Sequence, residues 1–392
     1  MKKIYLKPGK EIPVKNKHHW IFSGGVQKAE KFNDGDIAQV YSSRNELLGH
    51  AYLNNKTVIA ARMINFSKED PLTSISKNIE KALKLRIQMF DSNTNCYRVI
   101  NSEADLIPGL TVDRYNEILV IQISTIGIDR LKNYIVDSLL KTFRDNNIEV
   151  KTIYEKSLMS SRKVDGLSDF EGILYGKEQY QIEVLENGIK FLVDVKNSQK
   201  TGLFLDMREM RKNVGEIAKN KKVLNCFSYT GGFSLYAFKN GAIKVDSVDI
   251  AKDAIESARK NFEINNLDVN KNGFFAEDVF IFLERNKLDY DLVILDPPAF
   301  AKKRKDIENA KRGYYKLNKL ALSKMPSDTM LLTCSCSYHV NHEMFEEIVK
   351  KASRDANREV KILSKHRLAP DHPINIFHSE IDYLKSLLLY VN

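Results

Sequence analysis

Apolar and polar positions alternate differently along three stretches of the chain. Up to about residue 70 the apolar residues fall in short strand-like runs, Ile37-Ala38-Gln39-Val40-Tyr41 and Val58-Ile59-Ala60-Ala61-Arg62-Met63-Ile64. Turn signals at Lys7-Pro8-Gly9-Lys10 and Phe32-Asn33-Asp34-Gly35-Asp36 separate such runs. This first stretch reads as a small β-barrel. Pro71 then opens a helix in which Ile75, Ile79, Ala82, Leu83, Leu85, Arg86 and Met89 keep an approximate helical period. Strands are predicted at 98–101, 110–114 and 118–123, with a turn around Asn116-Glu117 joining the last two. An amphipathic helix over 128–143 and a strand over 152–155 complete a compact α+β unit.

Residues 181–195 read as a hairpin, with Ile182, Val184, Ile189, Phe191 and Val193 at its alternating apolar positions. Its turn is Asn187-Gly188, the favoured type I′ pair because both residues tolerate φ > 0. From Lys221 onward the order becomes strand, glycine loop, helix, strand, helix, which predicts a doubly wound, mostly parallel sheet. The reading is therefore an α/β protein with three domains: a barrel over 1–70, an α+β unit over 71–180 and the parallel-sheet domain over 181–392.

Composition narrows the class. The 392 residues are 43% hydrophobic, enough for several buried cores, and carry a net charge of +10. A basic chain favours polyanionic partners, since Lys and Arg release counterions from phosphates. No run approaches the roughly 18 apolar residues of a transmembrane helix. The opening MKKIYLKPGKEIPVK lacks the apolar core of a signal peptide. A soluble cytoplasmic protein without a membrane partner is expected. The four cysteines, Cys96, Cys226, Cys334 and Cys336, form no C-x-x-C pair, so neither a zinc site nor a disulfide scaffold is expected.

Chemistry concentrates at successive strand ends. Val223-Leu224-Asn225-Cys226-Phe227-Ser228-Tyr229-Thr230-Gly231-Gly232 is a strand running into a glycine loop and a helix start. Glycine permits close backbone approach and the helix start offers free N–H groups. The loop is not G-x-G-x-x-G, which disfavours a dinucleotide. The next strand ends in Asp249, about 20 residues beyond the glycines, where a carboxylate grips ribose hydroxyls. Asp278 closes the strand after that. One acid at a strand end is usually a turn residue or a helix cap, but here glycines or acids close three strands in succession. A fourth strand ends in Asp296-Pro297-Pro298-Ala299-Phe300, whose prolines each fix φ and stiffen the loop. A fifth carries Cys334 and Cys336, two apart and so on one face; periodicity does not choose between them.

Together these segments resemble the class I methyltransferase fold. More narrowly, nearly the whole chain is similar to the bacterial PUA-domain enzymes that methylate C5 of cytosine in 23S rRNA. His19-Trp20-Ile21-Phe22-Ser23-Gly24 resembles the PUA opening, and residues 200–209, 225–233, 296–300, Arg312-Gly313-Tyr314, 333–337 and Asp371-His372-Pro373 match in order. The resemblance implies S-adenosylmethionine as cofactor, bound by Asn225, Phe227, Ser228, Tyr229, Gly231, Asp249 and Asp296, with Asp278 near the adenine. It implies Cys336 as the nucleophile on cytosine C6, Cys334 at a position that need not be cysteine, and Asp296 on the cytosine ring edge. It further implies large-subunit rRNA, naked or partly assembled, as partner, and it allows a homodimer.

Two departures from wider patterns bear on the chemistry. Ala299 stands where many RNA cytosine-5 enzymes place a second cysteine, although the PUA-containing family commonly lacks it. Phe300 lies one position beyond the place of the aromatic in Asp-Pro-Pro-Tyr amino-methylating enzymes. Methylation of a guanine or adenine nitrogen and a non-catalytic rRNA assembly factor are the competing expectations. The run Lys302-Lys303-Arg304-Lys305, next to the Asp-Pro-Pro loop, reads as either a solvated surface or a phosphate contact.

Overall fold

The computed structural model describes residues 1–301, 303–378 and 382–392. It divides into two compact units, one formed by 1–186, 193–205 and 370–379, the other by 187–192, 206–369 and 380–392.

The first unit contains two sheets. A six-stranded sheet runs in the order Trp20–Phe22, Ile59–Asn65, Leu47–Leu53, Ile37–Tyr41, Lys2–Leu6, Val26–Ala29. Its core includes Ile4, Leu6, Ile21, Val40, Ala51 and Met63. A five-stranded sheet follows, in the order Phe170–Gly176, Thr152–Ser157, Ile118–Ile123, Leu110–Tyr115, Cys96–Asn101. Helix Pro71–Met89 packs against it through Ile75, Ile79 and Leu83. That helix begins where its chemistry dictates: Pro71 needs no N–H partner there, and the Asp70 carboxylate accepts from Thr73 N–H at 2.9 Å. The helical pattern over 128–143 resolves into two helices, Ile126–Arg130 and Lys132–Asp145. Phe170–Gly176 is a strand that periodicity did not reveal, because none of its residues is fully buried.

A segment distant in sequence completes this unit. Asp371 is fully buried; its carboxylate accepts from Arg98 N–H at 2.9 Å and its backbone carbonyl from Arg86 Nη2 at 2.9 Å. Arg86 also forks onto Asp105 at 2.6 and 2.8 Å. Asn101 donates to the Pro373 carbonyl at 3.0 Å, and Asn375 to the Glu103 carbonyl at 3.1 Å.

The hairpin Gln181–Glu186 and Ile189–Asp194 spans the division between the units, with Asn187 and Gly188 at φ 50° and 72°, as a type I′ turn requires. In the second unit we number the elements β1 (Lys222–Cys226), β2 (Lys244–Asp249), β3 (Gly273–Ala276), β4 (Leu292–Leu295), β5 (Thr329–Ser335), β6 (Val360–His366) and β7 (Lys385–Val391). The helices are α1 (Arg208–Ile217), α2 (Gly232–Lys239), α3 (Lys252–Ile264), α4 (Val279–Arg285), α5 (Ile307–Lys324) and α6 (His342–Asp355). The sheet order is β3-β2-β1-β4-β5-β7-β6. The first five strands pair in parallel, while β7 runs antiparallel between β5 and β6. The strands are apolar on both faces, with Leu224, Val293 and Leu331 on one and Val223, Leu292, Ile294 and Leu332 on the other, because helices cover both sides. Order reverses between β1 and β4, and ligands of such sheets bind beyond the strand ends at that switch point.

Candidate active site

The loop after β1 is bent by its own backbone. Phe227 and Tyr229 sit at φ 58° and 47°, a left-handed conformation that costs a bulky residue of order 1–3 kcal/mol. Gly231 follows at φ 78°, and a Cβ there would meet the Ala258 Cβ at 2.9 Å. Neighbouring groups hold the bend. Ser228 N–H donates to the Val248 carbonyl at 3.0 Å, Gly231 N–H to the Ser228 carbonyl at 2.8 Å, and Tyr229 N–H to Asp249 at 2.9 Å. The second Asp249 oxygen accepts from Ala251 N–H at 2.9 Å. Asn225 is fully buried and donates to Ser234 Oγ at 2.9 Å, which in turn meets Ser247 Oγ at 2.7 Å. Asn225, Phe227, Ser228, Tyr229, Gly231 and Asp249 thus form one connected loop at the ends of β1 and β2. Asp278 lies beyond β3 and caps α4, accepting from Ile281 N–H at 3.1 Å.

Across the switch point, β4 ends in half-buried Asp296, and β5 ends just before Cys336. The register Leu295↔Cys226 and Leu295↔Thr333 aligns the carboxyl ends of β1, β4 and β5. The structure separates the two cysteines that periodicity left equivalent. Cys334 lies inside β5, wholly buried, and burial, with Asp296 and Cys336 adding to it, pushes its thiol well above the usual thiol range. Cys336 lies past the strand end and is the only cysteine not buried. A thiol must ionise to act as a nucleophile, so Cys334 is chemically inert where Cys336 is not walled in.

Ser337 ties the loops after β4 and β5 together. Its Oγ accepts from Ala301 N–H at 3.2 Å and pairs with the Tyr314 hydroxyl at 2.8 Å. Tyr314 also packs at a tilt against Phe300, centroids 4.7 Å apart, and Gly313 lets α5 approach that ring, since a Cβ there would lie 2.9 Å from it. The Arg312-Gly313-Tyr314 segment is therefore the floor under the Asp-Pro-Pro-Ala-Phe loop. Behind Cys336 stands Lys385 of β7, 2% exposed, donating to the carbonyls of Ser337 at 2.6 Å and Tyr383 at 2.7 Å. Burial lowers its pKa to about 8, against the opposing pull of Cys336 and Asp382. Sequence reading missed Lys385, because a lysine before the apolar run Ser386-Leu387-Leu388-Leu389-Tyr390-Val391 looks like a flanking surface residue. Of the basic run, Lys302 lies outside the described residues, and Lys303, Arg304 and Lys305 are exposed.

Residues 164–373 match the family described as S-adenosylmethionine-dependent methyltransferase, and residues 4–66 match a PUA-like domain. A ribosomal RNA large subunit methyltransferase I of Aliivibrio fischeri is 37% identical over 390 residues, covering 97% of each chain. The chain belongs to this family of S-adenosylmethionine-dependent methyltransferases. A SAM-dependent methyltransferase from Streptococcus mutans superposes with a TM-score of 0.83 at 25% identity, over 99% of this chain and 100% of its own. Another methyltransferase, solved in complex with SAH, gives 0.85 at the same identity and coverage. The cofactor of the methyltransferase is thus S-adenosylmethionine, and the switch-point residues fit it. Ser228 Oγ and Asn225 Oδ1 are buried without a hydrogen-bond partner, a costly state unless a ligand supplies one. Both Asp249 oxygens keep a lone pair for hydroxyl groups beyond the two amides they accept.

Proposed function

We propose that this methyltransferase modifies C5 of a cytosine in large-subunit (23S) rRNA through a covalent adduct with Cys336. The observation that carries the reading is the placement of Cys336: the one cysteine not buried, at the carboxyl end of β5, beside the loop that holds Asp296. The names of its relatives, the PUA-like match and the +10 charge support an rRNA substrate.

In this reading Asn225, Phe227, Ser228, Tyr229, Gly231 and Asp249 hold the cofactor, with Asp278 toward its adenine and Asp296 between cofactor and base. When bound, S-adenosylmethionine supplies an electrophilic methyl group. The Cys336 thiolate adds to C6 of the cytosine, which raises electron density at C5. Asp296 hydrogen-bonds the ring edge and stabilises the adduct. Once C5 carries the methyl group, a base takes the C5 proton, the C–H electron pair re-forms the C5–C6 double bond and the thiolate leaves, so one difficult substitution becomes easier steps. The target base must be unstacked to meet these groups, which favours naked or partly assembled RNA.

Nucleoside mass spectrometry of unmodified large-subunit rRNA tests this, with wild type and Cys336→Ala run on free RNA and on mature subunits. The expected outcome is 5-methylcytidine on free RNA from wild type and a loss of at least about 10³-fold in the variant. Equal product from Cys336→Ala, or a methylated base nitrogen, would remove the covalent mechanism.

A further inference from the structure

We infer that Lys385 is the positioning residue that keeps Cys336 as a thiolate, by holding the thiol's proton on its own buried amine. The inference rests on the reading of Cys336 as nucleophile. In the antiparallel register Lys385 faces Ser335, so its side chain starts one residue from Cys336. Its Nζ donates to the backbone carbonyl of Ser337, the residue after Cys336, at 2.6 Å, and to that of Tyr383 at 2.7 Å. Two of the three ammonium donors are therefore fixed by carbonyls that flank the thiol's loop. Neither carbonyl carries charge, so a buried ammonium here needs an anion.

Among the described residues, the acids and thiols that act on this part of the sheet are Asp382, Asp296 and Cys336. Asp382 precedes β7; its Oδ2 meets His342 of α6 at 3.3 Å and Arg367 at 3.6 Å, and its charge supports the ammonium less than that of Cys336. Asp296, from the β4 loop, acts on Cys334 of β5. Tyr314 of α5 is a neutral phenol whose own pKa burial raises. Cys336 is the group whose charge supports the protonated lysine most strongly. The exchange is balanced: one Sγ–H bond breaks, one Nζ–H bond forms, and the proton stays within the pair. With its ordinary pKa pulled down by burial to about 8, the lysine stands close to a thiol's range, where a proton passes readily in either direction. After methyl transfer, the same ammonium stabilises the departing thiolate.

Iodoacetamide alkylation against pH reads the thiolate directly, located by peptide mass spectrometry. Cys96, Cys226 and Cys334 are buried, so Cys336 is the reporting site. The wild-type midpoint is expected below the ordinary thiol value of about 8.5. Lys385→Met should raise it by about one pH unit or more, leaving about tenfold less thiolate at pH 7. Methyl transfer should fall in kcat by a similar factor, with KM for S-adenosylmethionine unchanged and recovery at higher pH. An unmoved alkylation midpoint in folded Lys385→Met overturns the inference. Should that variant fail to fold, the reciprocal titration decides. The ¹³Cε resonance of Lys385 should titrate at lower pH in Cys336→Ala than in wild type, and coincident titrations overturn the inference. Failure of the underlying reading looks different: 5-methylcytidine formed by Cys336→Ala removes the nucleophile while leaving the thiol–amine coupling measurable.

Discussion

At the scale of single residues, the loop after β1 stores backbone strain at two bulky side chains. Phe227 and Tyr229 hold left-handed backbone that a glycine would adopt without cost, so their side chains are needed in place. Gly231 is the reverse case, with both its φ of 78° and its contact with Ala258 excluding a Cβ. Gly231→Ala should destabilise the fold by about 1–3 kcal/mol and weaken S-adenosylmethionine binding roughly tenfold, read by thermal melting and calorimetric titration. Retained affinity with lowered stability would place the glycine in packing against α3 alone. Asp278 has a second role already visible: one of its oxygens accepts from Ile281 N–H and caps α4.

At the scale of elements, the site is assembled by loops that touch each other as well as by strands. Ser337 carries that contact between the Asp-Pro-Pro loop, α5 and the end of β5. Ser337→Ala leaves Ala301 N–H and the Tyr314 hydroxyl buried without this acceptor, a cost of about 1–3 kcal/mol. Its expected signature is roughly tenfold slower methyl transfer with unchanged cofactor affinity, checked by single-turnover kinetics beside a binding titration. What the sequence discloses here follows physical range. Asn187-Gly188 announced its hairpin because a two-residue turn is encoded by those two residues. The strand end bearing Asp296 is legible because the apolar run Leu292–Leu295 stops abruptly at an acid, and that bearing Asp249 because of its spacing of about 20 residues from the glycine loop. Strand Phe170–Gly176, with only partly buried positions, carries no such contrast. The insertion of β7 between β5 and β6 depends on pairing partners far apart in sequence, such as Cys334 with Ser386, and so does the approach of Lys385 to Cys336.

At the scale of the whole molecule, stability will respond to acid through a buried histidine of the first unit. His19 in the first unit is fully buried, its Nδ1 on the Met63 carbonyl at 2.9 Å. Burial holds its pKa at about 4, below the 6.5 of an exposed imidazole. Between those values the unfolded chain binds a proton that the folded chain does not, so folding weakens as pH falls from about 6.5 to about 4. The expected loss is about 3 kcal/mol from this residue. Urea unfolding at pH 7 and pH 4.5 should show it in wild type and a smaller difference in His19→Gln; identical pH dependence would assign acid lability elsewhere.

The segment bearing Asp371 has a further consequence, for how genes of this kind can be shuffled. It is encoded after nearly all of the second unit, yet its carboxylate and carbonyl are bound by Arg98 and Arg86 of the first. A recombination joint placed between codons 206 and 369 joins a new Asp371 segment to old arginines. Descendants of such a crossover inherit a compatible pair only when both parents already share that lock, so the arginines and the Asp371 segment are inherited together although most of the second unit is encoded between them.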